Sequence, residues 1–352
     1  MAERARIAVL GAGWWATQHH IPNLKARSEV ELVGVCRLGA DELKLVQERF
    51  GFGFASEDFV EVLDRSRPDG VVVSSPHVAH FENAMAALDR GAHVLIEKPM
   101  CTTAEQARAL ERHAAELGLE IVVPHGFNFT RYMPAAADMI ARGRIGDVRH
   151  VSAQMGSALL DLFGGEPMLE TSAHTFRPPP STWADPKRAG GYGWGQLSHL
   201  LGALFRVVPI DPDRIFARTG LSPTGVDYFD AAVLTLANGA TVSLSGSAAV
   251  PKHIGSHIDL RIYGTDGAVF LDVERERLEL RRQDGADEVV PLAPGEGRKS
   301  YSTRPPIDAL VDLCLGRPIA NQADATVGRR TVEVLDALYR SAESGRQEPC
   351  AA

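Results

Sequence analysis

The chain is 352 residues long and carries a formal charge of −8, from 37 Lys and Arg against 45 Asp and Glu, with 45% hydrophobic residues. That length is large for one hydrophobic core and the apolar content is ordinary for a globular protein, so two domains are expected and disorder or a fibre is excluded. The acidic balance argues against a nucleic-acid backbone or an anionic membrane surface as partner and leaves small molecules and further copies of the chain.

No stretch reaches the ~18 to 20 apolar residues that span a bilayer, and the opening MAERARIAVLGAG shows no secretory pattern. Cys36, Cys101, Cys314 and Cys350 are scattered without paired spacing, so they read as reduced thiols of a cytoplasmic protein. No metal site is expected, because His19-His20, His253 and His257 each lack a third ligand in the pattern.

From Arg4 to about His125, β-rich runs at 5–10, 30–36, 70–74, 93–97 and 120–124 alternate with helix-like stretches at 41–50, 77–90 and 103–117. This is the rhythm of strand-helix units on a parallel sheet, a Rossmann-type domain over residues 1–125. Thr102 and Glu105 stand at capping-box spacing and start the third helix just beyond a loop containing Lys98 and Pro99.

After a helix at 134–142 the character changes. Strands at 148–154, 230–236, 241–247, 258–263 and 268–272 follow one another through turns such as Asn238-Gly239 and Asp266-Gly267, so hairpins and a mostly antiparallel sheet are expected for an α+β domain over 126–352. The stretch 162–195 is rich in Gly and Pro and holds Phe163, Phe176, Trp183, Tyr192 and Trp194, which suits a long loop around a cleft. The tail 307–344 reads as two helices.

Gly11, Gly13 and Ala16 form GxGxxA directly after the first strand and at the mouth of a helix. Gly11 permits the tight turn, and Gly13 lets the backbone approach a pyrophosphate seated on the positive end of the helix. Where a carboxylate would select the plain adenosine ribose, at the end of the second strand, the chain reads Val35-Cys36-Arg37-Leu38. Arg37 can pair with a 2′-phosphate, which points to NADP over NAD, or stack on adenine; a solvent-facing arginine is the other reading.

Lys98 lies between an apolar strand and a proline, a poor place for solvation, so a lowered pKa suits it to take a hydroxyl proton; a surface ion pair is the alternative. On the helix near residue 200, Leu197, Leu200, Leu201, Leu204 and Phe205 form one apolar stripe while Gln196, His199 and Ala203 lie on another face, so His199 reads as more than a core histidine. His174, Trp183 and Tyr192 offer ring faces and polar tips for a sugar, and equally suit core or interface.

With these motifs the chain resembles the Gfo/Idh/MocA family, the group of glucose-fructose oxidoreductase and inositol dehydrogenase. The similarity runs nearly end to end through Gly11-Ala12-Gly13-Trp14, Ser75-Pro76 with His80, the run from Gly91 to Glu97-Lys98-Pro99, then Trp183, Asp185-Pro186, Gly190-Gly191 leading to His199, and Gly264-Thr265-Asp266-Gly267. The resemblance implies a Rossmann domain, a large open-faced sheet that joins homodimers or homotetramers, and NAD(P)-dependent hydride transfer on a sugar, sugar derivative or polyol. It implies that Lys98 approaches the reacting carbon and that His199 acts in acid-base catalysis. Trp14, Ser75, Pro76, His80 and Glu97 would lie on the cofactor side, and Asn128, Gln196 and His199 on the substrate side.

Two departures stand out. Many relatives place an aspartate four residues before the histidine, where this chain has Gly195; Gln196 can hydrogen-bond from nearby but cannot take a proton. Many place arginines where this chain reads His125-Gly126-Phe127-Asn128-Phe129, which argues against a strongly anionic substrate. Redox-assisted glycoside elimination with a tightly held cofactor, and a cofactor-sensing regulator without catalysis, are the competing readings.

Overall fold

The computed structural model describes residues 4–254, 256–273, 275, 277–291 and 301–351. Packing divides the chain into two units. The first comprises Met1–Pro124, Pro167–Thr182 and Thr303–Arg329, and the second His125–Glu166, Trp183–Ser302 and Arg330–Ala352. A single cut after residue 125 therefore leaves out two later segments that return to the first unit.

The first unit runs β1 (Ala5–Leu10), α1 (Ile21–Lys25), β2 (Val30–Cys36), α2 (Ala40–Phe50), β3 (Phe54–Ser56), α3 (Phe59–Ser66), β4 (Gly70–Val73), α4 (His80–Leu88), β5 (His93–Ile96), α5 (Ala104–Leu117) and β6 (Ile121–Val122). All strand pairs are parallel, in the order β3-β2-β1-β4-β5-β6. Chain direction around the sheet reverses between β1 and β4, and a doubly wound sheet binds its ligand outside the carboxyl ends of the strands at that point. β4 is buried along its whole length, as a central parallel strand covered on both faces must be. β3 and α3 were not expected from the sequence. For β3 the reason is its length: three residues leave no alternation to read.

The helix expected from Thr102 and Glu105 is capped one residue later. The Thr103 hydroxyl accepts from the Gln106 amide at 3.2 Å, and the Gln106 side-chain oxygen accepts from the Thr102 amide at 3.3 Å. The same reciprocal logic applies with Gln in place of Glu.

The rest of the chain continues with α6 (Tyr132–Ala141), β7 (Val148–Gly156), α7 (Leu160–Gly164), α8 (Pro180–Trp183), α9 (Ser198–Val207), β8 (Pro212–Leu221), β9 (Asp227–Leu236), β10 (Thr241–Ser247), β11 (His257–Gly264), β12 (Gly267–Asp272), β13 (Arg277–Arg282), β14 (Glu288–Val290), α10 (Arg304–Cys314), α11 (Ala325–Ser344) and β15 (Glu348–Pro349). Of these, the first unit takes most of α8, all of α10 and the start of α11. The second unit is built on a nine-stranded sheet, β14-β13-β12-β11-β7-β10-β9-β8-β15, in which only β7 and β10 pair in parallel.

Register makes this sheet two-faced. Ile215, Leu234, Val242, Val151, Ile262 and Val269 lie in one cross-strand row and are all buried. The next row, Phe216, Val233, Ser243, Ser152, Arg261 and Phe270, is exposed or half-buried. β8 escaped the sequence reading because its outward positions, Asp213, Arg214, Phe216 and Arg218, are mostly charged and only Pro212, Ile215 and Ala217 face inward and are buried.

Candidate active site

The turn after β1 is shaped by close approach. Gly11 has φ +88°, and a Cβ there would stand 2.3 Å from the Ser75 amide nitrogen, so only glycine lets the β1 and β4 turns touch. At Gly13 a Cβ would meet only the Arg37 guanidinium, at 3.9 Å, which leaves the backbone bare and approachable. Helix begins at Trp14, with a π-helical turn over Ala16–His20 before α1. The leading amides of a helix have no carbonyl within it to bond, so Trp14, Trp15 and Ala16 offer donors to an anion. The Ser75 hydroxyl is buried and has no partner among the described residues. Approachable backbone at Gly13, the leading turn of a helix and the buried Ser75 hydroxyl fit a dinucleotide diphosphate at the topological switch point.

Lys98 follows β5 and precedes Pro99 across a cis peptide bond. It is buried, and burial pushes its ammonium down to about 8 while the neighbouring Glu97 carboxylate opposes the fall. Glu97 is itself buried, which alone would raise its pKa. His20, donating from Nε2 to Oε1 at 2.8 Å, the Lys98 charge and the Lys98 amide on Oε2 at 3.1 Å instead hold it at about 2. Both oxygens of Glu97 are thus held inside the protein, and it acts as a support for Lys98 rather than as an open cofactor contact. His20, not singled out from the sequence, is the residue that makes this possible; its pairing spans 77 positions and leaves no local signal.

His80 is also internal rather than on the cofactor surface. Its two ring nitrogens face the Pro99 and Ser75 carbonyls, each at 2.8 Å, so it staples the Lys98-Pro99 loop to the Ser75-Pro76 loop. Burial pulls the ring toward neutrality while two carbonyl acceptors and Glu97 favour the charged form. Pro76 is exposed beside this staple. His174, expected on the substrate side, lies in the same unit as the dinucleotide turn, and its Nδ1 accepts from the Trp14 indole at 2.9 Å.

In the second unit α9 is buried on every side except at Arg206, so the two-faced pattern inferred for His199 does not hold. What surrounds the ring is specific: Tyr301, His125 and Phe127 present edges to it at centroid distances of 5.2, 6.0 and 6.1 Å. Gly202, one turn on, is required there because a Cβ would come within 2.6 Å of the His125 ring. Asn128, expected on the substrate side, is fully buried and donates to the Gly202 carbonyl at 3.0 Å, which braces α9.

The turn before α9 explains the missing aspartate. A Cβ on Gly195 would stand 2.8 Å from the Phe163 ring and 3.4 Å from that of Trp183, so aromatic packing fills the place. Trp183 is half-buried there, with its ring 6.4 Å from Phe163. Tyr192, fully buried with its hydroxyl donating to the Met155 carbonyl at 3.1 Å, is a core residue. Gln196 accepts from the Ser157 hydroxyl at 3.1 Å.

The turn that leads into α9, Gly193–Leu197, is held from a distance. Asp227 accepts from the Gly193 amide at 2.6 Å and from the Tyr339 hydroxyl at 2.7 Å, and Tyr339 accepts from the Trp194 amide at 3.2 Å. Asp230 is buried next to Asp227, and burial plus that neighbour push its carboxyl well above the usual range. Among the described residues no three His, Cys, Asp or Glu side chains cluster as metal ligands, and no helix is long and apolar enough to cross a membrane.

Comparison with known proteins gives the class. Residues 5–125 match the "Oxidoreductase family, NAD-binding Rossmann fold" and residues 133–270 the "GFO/IDH/MocA C-terminal domain". The chain is 24% identical to the uncharacterized oxidoreductase ORF334 of Rhizobium meliloti, over 97% of this chain and 98% of that one. It is 28% identical to D-glucoside 3-dehydrogenase of Escherichia coli (strain K12), over 48% of this chain and 51% of that one. In fold it is similar to GenD2 from gentamicin A biosynthesis, solved in complex with NAD, with a TM-score of 0.75 and 24% identity over 99% of this chain and 97% of that one. Fold and turn geometry define an NAD-binding oxidoreductase with a Rossmann domain. The chain belongs to the Gfo/Idh/MocA family.

Proposed function

We propose that the protein is an NAD(P)-dependent dehydrogenase or reductase that moves hydride between the nicotinamide and a secondary alcohol or ketone of a sugar, sugar derivative or polyol. The observation that carries this reading is Lys98, a buried ammonium pushed down to about 8, at the carboxyl end of β5 in the unit that holds the dinucleotide turn. An amine in that range can take a hydroxyl proton in oxidation and return it to a carbonyl in reduction near neutral pH. The nicotinamide, when bound, supplies the hydride acceptor or donor. His199, oriented by aromatic edges, serves as the second acid-base group. The similarity to a D-glucoside 3-dehydrogenase supports a sugar substrate.

Arg37 at the end of β2, in place of a carboxylate, supports NADP over NAD. The outer face of the nine-stranded sheet, with Phe216, Phe229, Val233 and Tyr263 exposed, supports a homodimer or homotetramer through that face. Four cysteines, none in a disulfide, suit a reducing compartment such as the cytoplasm.

A panel of sugars, polyols and keto-sugars, followed by nicotinamide absorbance with each cofactor, tests the reading. One substrate class should turn over, and Lys98→Ala should lower kcat by about 100-fold or more. Turnover of a glycoside without net absorbance change would replace dehydrogenation by elimination.

A further inference from the structure

The first unit recruits residues 167–182 from far along the chain, and three consecutive side chains of that segment meet Trp14 of the dinucleotide turn, Arg49 of α2 and Arg37 after β2. His174 accepts from the Trp14 indole at 2.9 Å, Thr175 bonds the Arg49 guanidinium on α2, and the Phe176 ring lies 3.8 Å from the Arg37 guanidinium carbon. Arg37 also donates from Nη1 to the Ala12 carbonyl at 3.1 Å, which lays its guanidinium across the bare backbone at Gly13. Its Nε is buried and has no partner among the described residues.

These contacts fix a side chain that is otherwise among the most mobile. A guanidinium backed on one face by a ring and tied at one end to a carbonyl keeps few rotamers, so its remaining donors point one way before any ligand arrives. Ordering lost in advance is not lost on binding, and affinity rises accordingly. The direction is the adenosine end of the site, because Arg37 closes β2, the strand whose end meets the ribose in this fold.

We infer that His174, Thr175 and Phe176 form a strap over the adenosine end of the dinucleotide site, with Phe176 setting the preference for NADP by holding Arg37 ready for the 2′-phosphate. This rests on the dinucleotide reading of the turn. Phe176 is a positioning residue, which acts through Arg37. An adenosine with a 2′-phosphate gains from the held guanidinium, whereas one with a free 2′-hydroxyl gains little.

Calorimetric titration of NADP+ and NAD+ into wild-type protein, Phe176→Ala, Phe176→Leu, Arg37→Ala and the Phe176→Ala/Arg37→Ala double variant tests the strap. Both Phe176 variants should weaken NADP+ binding by about 10-fold and leave NAD+ within about 2-fold, the size of a partly desolvated cation–ring contact. The double variant should be no weaker for NADP+ than Arg37→Ala alone, because Phe176 has no effect once its partner is gone. Phe176→Leu keeps apolar bulk and guards against a variant that merely fails to fold. Unchanged NADP+ affinity in both Phe176 variants, or equal loss for both nucleotides, overturns the strap while leaving the dinucleotide site standing. Wild-type protein that takes NAD+ alone also overturns it, and wild-type protein that takes neither nucleotide overturns the dinucleotide reading itself.

Discussion

At the scale of single residues, the proposed reaction draws its pH dependence from Lys98 beside Glu97. Burial lowers the Lys98 ammonium to about 8 and Glu97 pulls it back up, so the basic form accumulates as pH rises through that value. Activity in the oxidative direction should therefore show an ascending limb with its midpoint near pH 8. Glu97→Gln removes the opposing charge and should move that midpoint down by about 1 pH unit. A pH profile of kcat/KM for both proteins checks this, and an unmoved limb would assign it to another group. Gly195 is the other decisive residue: with Phe163 at 2.8 Å from its absent Cβ, Gly195→Asp restores the acid common in relatives but has no room. It should cost roughly 1 to 3 kcal/mol of stability, as overpacking does, read as a lower denaturation midpoint. The extra Phe163→Ala substitution should recover part of it.

At the scale of elements, β9 holds two buried carboxyl groups, Asp227 and Asp230. Burial raises both Asp227 and Asp230, and Asp230, beside the charge of Asp227, rises well above the usual carboxylate range. An unfolded aspartate titrates near 3.9. Above that pH the folded chain keeps a proton that the unfolded chain has lost, so stability falls as pH rises. Asp230→Asn mimics the protonated form and should flatten this dependence, with a gain of roughly 1 to 3 kcal/mol at neutral pH. Urea unfolding at pH 5 and pH 8 measures it, and a wild type equally stable at both would refute a raised Asp230 carboxyl. Helix α5 gives a simpler test: Thr103→Ala removes the cap and should cost about 1 kcal/mol, whereas Thr102→Ala, at the position favoured by sequence spacing, should cost little.

At the scale of the whole chain, two features depend on distant segments. Arg27 bonds Asp308 at 2.9 Å and Asp312 at 2.8 Å, which ties α10 to the first unit despite some 280 intervening residues. The outer face of the nine-stranded sheet places Phe216 opposite Val233, with Phe229 four residues before Val233 on β9. A charge in the middle of that face should break a subunit contact without touching the core. Val233→Lys should lower the mass seen by light scattering to that of the monomer while the circular dichroism spectrum stays as in wild type. An unchanged mass would place the contact elsewhere.

Local signals sufficed for much of this. The GxGxxA turn, the strands β1, β2 and β10, and the Lys98-Pro99 loop were legible because each is specified within a few residues by glycine geometry or periodicity. What stayed hidden was decided by contacts between residues far apart in the chain. Tyr192, for which a sugar contact and a core place both stood open, lies in the core; Asn128, expected on the substrate side, is buried and bonds Gly202; His174 bonds Trp14; His20 holds Glu97; Gly195 yields to Phe163. Composition and period determine which residues leave water, and so the sequence alone determined the class of fold and the dinucleotide turn. Which buried polar group meets which partner depends on packing across the fold, and only the tertiary structure decided that.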